Sequence, residues 1–177
     1  MSETCRFSRL GRVIECGANV GIVVVALMAG ALMFRQAPAR SSAPPVTRRA
    51  PAAGSALKLP DVTFRDADQT LVLVLSTACH FCSESGSFYR RIAGAARRHG
   101  TSIVAVLPQP TDEAAAYLAK LGVSVDKVYQ LALTAVDTSG TPTLILVSRN
   151  GVVKKTWIGR LPADEEDEVL NAVEGLP

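Results

Sequence analysis

Hydrophobic and polar positions divide the chain into two unlike parts, and the larger part alternates strand-like and helical patterns. Residues 71–75 (LVLVL) and 103–107 (IVAVL) are continuous apolar runs rich in branched side chains, typical of strands buried on both faces of a sheet. Between them, apolar or small side chains recur at helical spacing from Phe81 to Ala96, and His99-Gly100 suits a helix C-terminus. This pattern predicts a strand–helix–strand unit with parallel strands.

Four further elements are predicted toward the C-terminus, two helices and two strands. A second helix runs from Thr111 or Asp112 to Leu121, with a capping side chain at its start. Strand-like runs over residues 144–148 and 152–158 flank Asn150-Gly151, which is a strong hairpin signal. The last helix covers residues 162–174, with a proline and several acids in its first turn. This order of elements predicts an α/β sandwich with a mixed parallel/antiparallel sheet.

The N-terminal part carries an apolar run of another kind. Residues 17–34 contain no charged side chain, and Val13 and Ile14 extend the run upstream past Glu15. At about 1.5 Å per residue, 18 to 22 helical residues span roughly 27–33 Å, close to the hydrocarbon thickness of about 30 Å. We therefore expect a transmembrane anchor over residues 13–34, after a short tail over residues 1–12. The alternative is a cleaved signal sequence, whose apolar stretch usually has only about 7–15 residues.

Charge and composition set the remaining boundaries. Three arginines precede the apolar run and four follow it up to residue 49, so charge alone does not fix its orientation. Residues 35–56 hold 4 of the 10 prolines and no acid, which predicts a disordered Pro/Ala-rich linker. Residues 57–177 then form one domain. The formal charge is +5 over residues 1–50 and −2 over residues 51–177, and this acidic balance argues against nucleic acid as a partner.

A pair of cysteines, Cys79 and Cys82, lies where the first buried strand ends and the first helix begins. Functional groups gather outside the carboxyl ends of strands, and a helix N-terminus stabilises negative charge. Such a position can lower a cysteine pKa from about 8.5 to roughly 3.5–7.5. We expect Cys79 to be the attacking thiolate and Cys82 the more buried resolving cysteine. The intervening His80 and Phe81 would tune the redox couple.

Two other interpretations of the cysteine pair are weaker. A structural zinc site needs four ligands, and the domain offers only His80 and His99 besides the two cysteines, so we expect no metal. A fixed structural disulfide is not obviously needed in a domain of about 120 residues. Exchange between thiols and disulfides also requires no cofactor.

Three stretches of the domain resemble those of thioredoxin-fold proteins: the Cys79–Cys82 motif, residues 140–147 (GTPTLILV) and residues 157–161 (WIGRL). With an N-terminal anchor, the chain is most similar to the membrane-tethered, TlpA-like thiol:disulfide oxidoreductases of bacteria. This resemblance implies a thioredoxin-like sandwich, with Pro142 as a cis-proline facing the cysteines. It also implies that the backbone of Thr141 pairs with an extended substrate segment.

The chain departs from thioredoxins at several positions near the cysteines. Leu73 occupies the position of a buried acid that manages the proton of the second cysteine, and Ala78 replaces the usual tryptophan. Ser87 matches the position of a proline in the first helix. Glu84 is close in sequence, but its position two residues after Cys82 favours a solvated acid. These departures leave the rate and the redox potential open.

The leading hypothesis is a membrane-anchored thiol:disulfide oxidoreductase that acts on cysteine-containing exported proteins, with reduction slightly preferred. Its expected partners are those substrate proteins, an upstream thiol electron donor or acceptor, and the membrane through residues 13–34. The expected location is the bacterial inner membrane, with a single span and the domain facing the periplasm or cell exterior. Two alternatives are a non-catalytic thioredoxin-fold module that binds peptides and a thiol peroxidase, the latter suggested by residues 111–121.

Overall fold

A computed structural model describes residues 49–176 of the chain and contains one five-stranded sheet with four α-helices. The strands are β1 (Gln69–Val74), β2 (Ser102–Leu107), β3 (Lys127–Gln130), β4 (Thr143–Ser148) and β5 (Val153–Ile158). The helices are α1 (His80–Glu84), α2 (Gly86–His99), α3 (Thr111–Leu121) and α4 (Ala163–Glu174), and a 3-10 helix covers Leu133–Val136.

The sheet is mixed, as predicted, and its strand order is β3-β2-β1-β4-β5. β1 is parallel to β2, and β2 is parallel to β3, whereas β4 is antiparallel to both β1 and β5. The central strand β1 is buried along its whole length, which explains its continuous apolar sequence. Because β1 pairs with β2 on one side and β4 on the other, the position of its carboxyl end is fixed. The cysteines follow this end in the sequence.

The core lies on both faces of the sheet, and alternate residues of β1 contribute to each face. Leu71 and Leu73 belong to a cluster with the buried sides of the four α-helices. Val72 and Val74 belong to a second cluster, which is completed by residues 57–64 and the 3-10 helix. Trp157 is buried in the first cluster.

The predicted elements are present, with three local differences. The first predicted helix is interrupted at Ser85, which ends α1 and precedes α2. The predicted capping side chain of α3 is wrong, because Pro110 occupies the N-cap position and no side-chain hydrogen bond caps the helix. The Asn150-Gly151 hairpin is present, but only Gly151 has a positive φ, +77°, so the turn is not the two-residue type that needs two such residues.

The predicted linker over residues 35–56 differs from the structure in its last eight residues. The Gly54 N–H donates to the carbonyl oxygen of Val153 at 2.8 Å, and the Val153 N–H donates to Ser55 at 2.9 Å. Pro51 is buried, and its carbonyl oxygen accepts from the Thr156 hydroxyl at 2.8 Å. This segment therefore covers the edge of β5, and the ordered domain includes residues upstream of position 57.

The predicted transmembrane segment over residues 13–34 and the first part of the linker lie outside the described residues. Within residues 49–176, no helix has both the length and the apolar character needed to cross a membrane.

Candidate active site

Cys79 and Cys82 are joined in a disulfide at the start of the first helix. Cys79 is the N-cap residue of α1, and Cys82 lies within that helix. The Cα atoms of the two cysteines are 5.2 Å apart, within the usual range of about 4.4–6.8 Å for disulfides. The local sequence thus places two sulfur atoms one helical turn apart, so the bond forms without rearranging the backbone.

The two sulfur atoms differ in their environment. The Cys82 side chain is fully buried, whereas Cys79 is half-buried. The backbone N–H of Cys82 donates to the Sγ of Cys79 at 3.1 Å. The same N–H, together with the partial positive charge of the helix N-terminus, stabilises a thiolate on Cys79 once the disulfide is reduced. This arrangement favours Cys79 as the attacking group and Cys82 as the resolving group.

The loop before β4 brings Thr141 and Pro142 against the cysteines. The Thr141–Pro142 peptide bond is cis, as the resemblance implied, and the carbonyl oxygen of Thr141 lies 3.4 Å from the Sγ of Cys79. Pro142 is buried, and its carbonyl oxygen accepts from the N–H of Gly159 at 2.7 Å. The Thr141 N–H makes no hydrogen bond within residues 49–176, so the backbone there has an open edge beside the half-buried Cys79.

Two buried threonines fix this loop, and sequence reasoning did not identify them. The hydroxyl of Thr143 donates to the carbonyl oxygen of Gly140 at 2.8 Å and lies 3.1 Å from the hydroxyl of Thr138. The Thr138 hydroxyl also lies 3.2 Å from the Gly140 carbonyl oxygen. Both side chains are buried, at 0% exposure for Thr143 and 5% for Thr138. They hold the segment that presents Thr141 to Cys79.

A second set of polar contacts, made by Gln109 and Glu113, fixes the loop that precedes Cys79. The Gln109 side chain donates to the Ser76 hydroxyl at 3.1 Å and accepts from the Thr77 N–H at 3.3 Å. The Thr77 hydroxyl donates to Glu113 at 2.8 Å. These contacts join the loop to residues just before and within α3. No local sequence signal marks them, because the partners are more than 30 positions apart.

The residues between the cysteines point toward solvent. His80 has 78% of its side chain exposed, and Phe81 is 51% exposed. The Nε2 of His80 lies 3.0 Å from a carboxylate oxygen of Glu84, whose other oxygen lies 3.0 Å from the Arg160 guanidinium. Glu84 is exposed, as expected from its position, and its carboxylate lies between the His80 imidazole and the Arg160 guanidinium.

No buried carboxylate accompanies Cys82 within the described residues. Leu73 is fully buried, and the buried polar residues include only glutamine, threonine and serine besides tyrosine. Tyr89 is buried in the same cluster as Cys82, and its hydroxyl lacks a hydrogen-bond partner in residues 49–176. Burial raises the pKa of the Tyr89 hydroxyl. Within the described residues, no buried carboxylate could therefore accept the proton of Cys82 as the buried acid of thioredoxins does.

No protein-family model and no curated protein match the chain, but solved structures do. A Chlorobium tepidum protein assigned as thiol:disulfide interchange protein DsbE gives a TM-score of 0.56 at 20% identity, over 70% of this chain and 99% of that chain. The thioredoxin domain of a thiol-disulfide oxidoreductase from Bacteroides vulgatus gives 0.54 at 17% identity, over 71% of this chain and 98% of that chain. The domain has a thioredoxin fold.

The same thioredoxin fold occurs in a protein studied for another reaction. The bacterioferritin comigratory protein of Xanthomonas campestris, whose structures address alkyl peroxide reduction, gives a TM-score of 0.50 at 17% identity. The match covers 68% of this chain and 98% of that chain. At these identities the similarity establishes the fold, and the chemistry has to be argued from the site.

Proposed function

We propose that the domain is a thiol:disulfide oxidoreductase in which Cys79 and Cys82 exchange disulfides with cysteine-containing proteins. The observation that carries this proposal is the position of the Cys79 sulfur. It is partly accessible, it accepts the Cys82 N–H at 3.1 Å, and it lies 3.4 Å from the Thr141 carbonyl oxygen. An accessible, stabilised sulfur beside an open backbone edge is what attack on a docked polypeptide requires.

The reaction proceeds by two exchange steps. The Cys79 thiolate attacks one sulfur of a substrate disulfide and forms a mixed disulfide, while the other substrate sulfur leaves as a thiolate and takes up a proton. Cys82 then loses its proton and attacks the Cys79 sulfur. The Cys79–Cys82 disulfide closes and the second substrate thiol is released. Two electrons pass from the protein to the substrate, and an external thiol donor must then reduce the protein.

The substrate segment docks in an extended conformation along Thr141. The Thr141 N–H has no hydrogen-bond partner within the described range, and its carbonyl oxygen lies 3.4 Å from the Cys79 sulfur. Regular pairing of β4 with β1 and β5 starts two residues later, at Thr143. An extended peptide can therefore add its backbone to Thr141 as a short strand, with its own cysteine next to Cys79. Pro142, buried below, provides no N–H and keeps this edge from being paired internally.

The direction is reductive in this proposal, following the resemblance to the TlpA-like proteins. The test is the equilibrium of the Cys79/Cys82 couple with glutathione. A reduction potential near that of thioredoxin, about −270 mV, supports a reductase, whereas a value near about −120 mV, as in DsbA, supports an oxidant.

Membrane attachment is also part of the proposal. The apolar run over residues 13–34 supports a single span in a bacterial inner membrane, with the domain in the periplasm or at the cell exterior. Expression of the full chain followed by membrane fractionation tests the anchor. Protease added to intact spheroplasts tests the side, because an outward-facing domain is digested and an inward-facing one is protected.

Single-cysteine variants test the catalytic assignment. The background is Cys5→Ser with Cys16→Ser, which removes the two cysteines outside the domain. On this background, Cys82→Ser is expected to accumulate mixed disulfides with substrate, because the resolving thiol is missing. Cys79→Ser is expected to trap none and to lack exchange activity.

Other outcomes contradict the assignment. Trapping by Cys79→Ser but not by Cys82→Ser would reverse the two roles. Full cellular function in the Cys79→Ser, Cys82→Ala double variant would indicate a module that only binds peptides. Consumption of peroxide by the reduced domain, faster than its exchange with protein disulfides, would indicate a thiol peroxidase.

A further inference from the structure

A chain of three charged or titratable side chains lies beside the disulfide. His80 Nε2 is 3.0 Å from Glu84 Oε1, and Glu84 Oε2 is 3.0 Å from Arg160 Nη1. Both carboxylate oxygens of Glu84 are therefore engaged, one with a permanent cation and one with an imidazole. Glu84 thus lies between the guanidinium of Arg160 and the imidazole of His80.

The geometry of this chain follows from two different parts of the fold. His80 and Glu84 are four residues apart in α1, the spacing at which helical side chains meet. Arg160 comes from the loop between β5 and α4, 76 positions away from Glu84. The preceding residue, Gly159, donates its N–H to Pro142 at 2.7 Å. The Arg160 backbone is thereby held next to the loop that faces Cys79. At the other end of the three side chains, His80 directly follows Cys79 in the sequence.

The position of the His80 imidazole matters because His80 directly follows Cys79. A cationic imidazole close to the Cys79 sulfur stabilises the thiolate, which favours the reduced protein and makes the couple more oxidising. In the structure the Cys79 sulfur contacts the N–H of Cys82 and the carbonyl oxygen of Thr141, whereas His80 pairs with Glu84. The imidazole is thus directed along the helix to a carboxylate.

Other titratable groups around α1 do not compete for His80. Tyr117, from α3, lies with its hydroxyl 3.2 Å from the Ser83 hydroxyl. Glu113, also from α3, accepts from the Thr77 hydroxyl at 2.8 Å. The only charged partners recorded for His80 and Glu84 within the described part of the chain are each other and Arg160.

We propose that Glu84 is a positioning residue for His80: it holds the imidazole away from Cys79 and keeps the Cys79/Cys82 couple more reducing than the Cys-His-Phe-Cys sequence would otherwise make it. This inference rests on the proposed exchange function. A residue outside the Cys-His-Phe-Cys motif thereby influences the reduction potential of the two cysteines. Arg160 fixes the Glu84 carboxylate, which in turn restrains the histidine.

A double-mutant cycle in the glutathione equilibrium tests the inference. The proteins are the wild type, Glu84→Gln, His80→Asn and the double variant, each measured at pH 6, where histidine side chains carry much positive charge. Glu84→Gln is expected to raise the equilibrium constant for reduction by glutathione at least threefold, or about 15 mV at roughly 30 mV per tenfold change. With Asn at position 80, the same substitution is expected to have less than half of this effect on the logarithm of the constant.

The cycle separates positioning from plain electrostatics. An equal effect of Glu84→Gln in both backgrounds would mean that the carboxylate acts on the thiolate directly, and the inference would be wrong. No effect in either background would also overturn it. Glu113→Gln is the matched control, because this carboxylate contacts the loop before Cys79 and not His80; it is expected to show no coupling to His80→Asn. Failure of the wild type to form a reversible disulfide would instead refute the exchange function.

Discussion

Replacement of Thr143 by valine tests whether the loop that faces the cysteines needs its buried hydroxyl bonds. Valine has the same branched shape, with a methyl group in place of the hydroxyl, so the change removes hydrogen bonding without opening a cavity. The variant loses the 2.8 Å bond to Gly140 and the 3.1 Å bond to Thr138. At about 0.5–1.5 kcal/mol each, this predicts a loss of about 1–3 kcal/mol. Because Thr138 still reaches the Gly140 carbonyl at 3.2 Å, that oxygen stays partnered, and we expect about 1–2 kcal/mol.

The functional effect should appear in substrate docking. With Thr143→Val, the segment that carries Thr141 loses part of its anchor, so kcat/KM for reduction of a protein disulfide is expected to fall several-fold. The glutathione equilibrium should stay within twofold, because the contacts of the sulfur atoms with the helix are unchanged. Urea unfolding followed by circular dichroism measures the stability, and turnover of insulin disulfides measures the docking.

Thr156→Val is the matched control for this prediction. It removes one hydroxyl bond of 2.8 Å, to the Pro51 carbonyl oxygen, on β5 and away from the cysteines. It is expected to lower stability without changing kcat/KM. The reasoning is refuted if Thr143→Val leaves kcat/KM unchanged, or if Thr156→Val lowers it to the same extent.

Three further predictions concern hydrogen-bonding side chains of the domain, of which Gln69 and Tyr89 are buried and Asp126 is exposed, and urea unfolding measures each. Gln69→Leu is expected to cost about 1–3 kcal/mol, because the Gln69 amide donates to the Ala172 and Val173 carbonyl oxygens at the end of α4; an unchanged midpoint would contradict this. Asp126→Ala is expected to cost a similar amount, about 1–3 kcal/mol, since its carboxylate accepts from the Ile103 N–H at 2.7 Å and the Ser102 hydroxyl at 2.8 Å. Tyr89→Phe is expected to leave stability unchanged or raise it by up to about 1 kcal/mol, because the lost hydroxyl is buried without a partner; a clear loss of stability would reveal a partner.

Local patterns in the sequence were sufficient for most of the sheet and for the position of the cysteines. The two buried strands, the β4–β5 hairpin and the C-terminal helix were predicted because each carries its own periodicity or turn residues. β3 was missed because it has four residues at an edge of the sheet and no fully buried position. The ordered segment over residues 49–56 was missed as well, since its composition is that of a linker and only the β5 edge gives it hydrogen-bond partners.

The sequence by itself determined that two cysteines stand at a strand end and a helix start, one turn apart. It also determined which of them is nearer the surface, because a helix buries one face. The tertiary structure decided which distant groups lie at the site. The Thr141 carbonyl meets Cys79 from 62 positions away, a place that only the family resemblance implied, and the Arg160 side chain binds Glu84 from 76 positions away. Periodicity and spacing report on neighbours within a few residues, whereas contacts between distant segments depend on strand order, which no local pattern encodes.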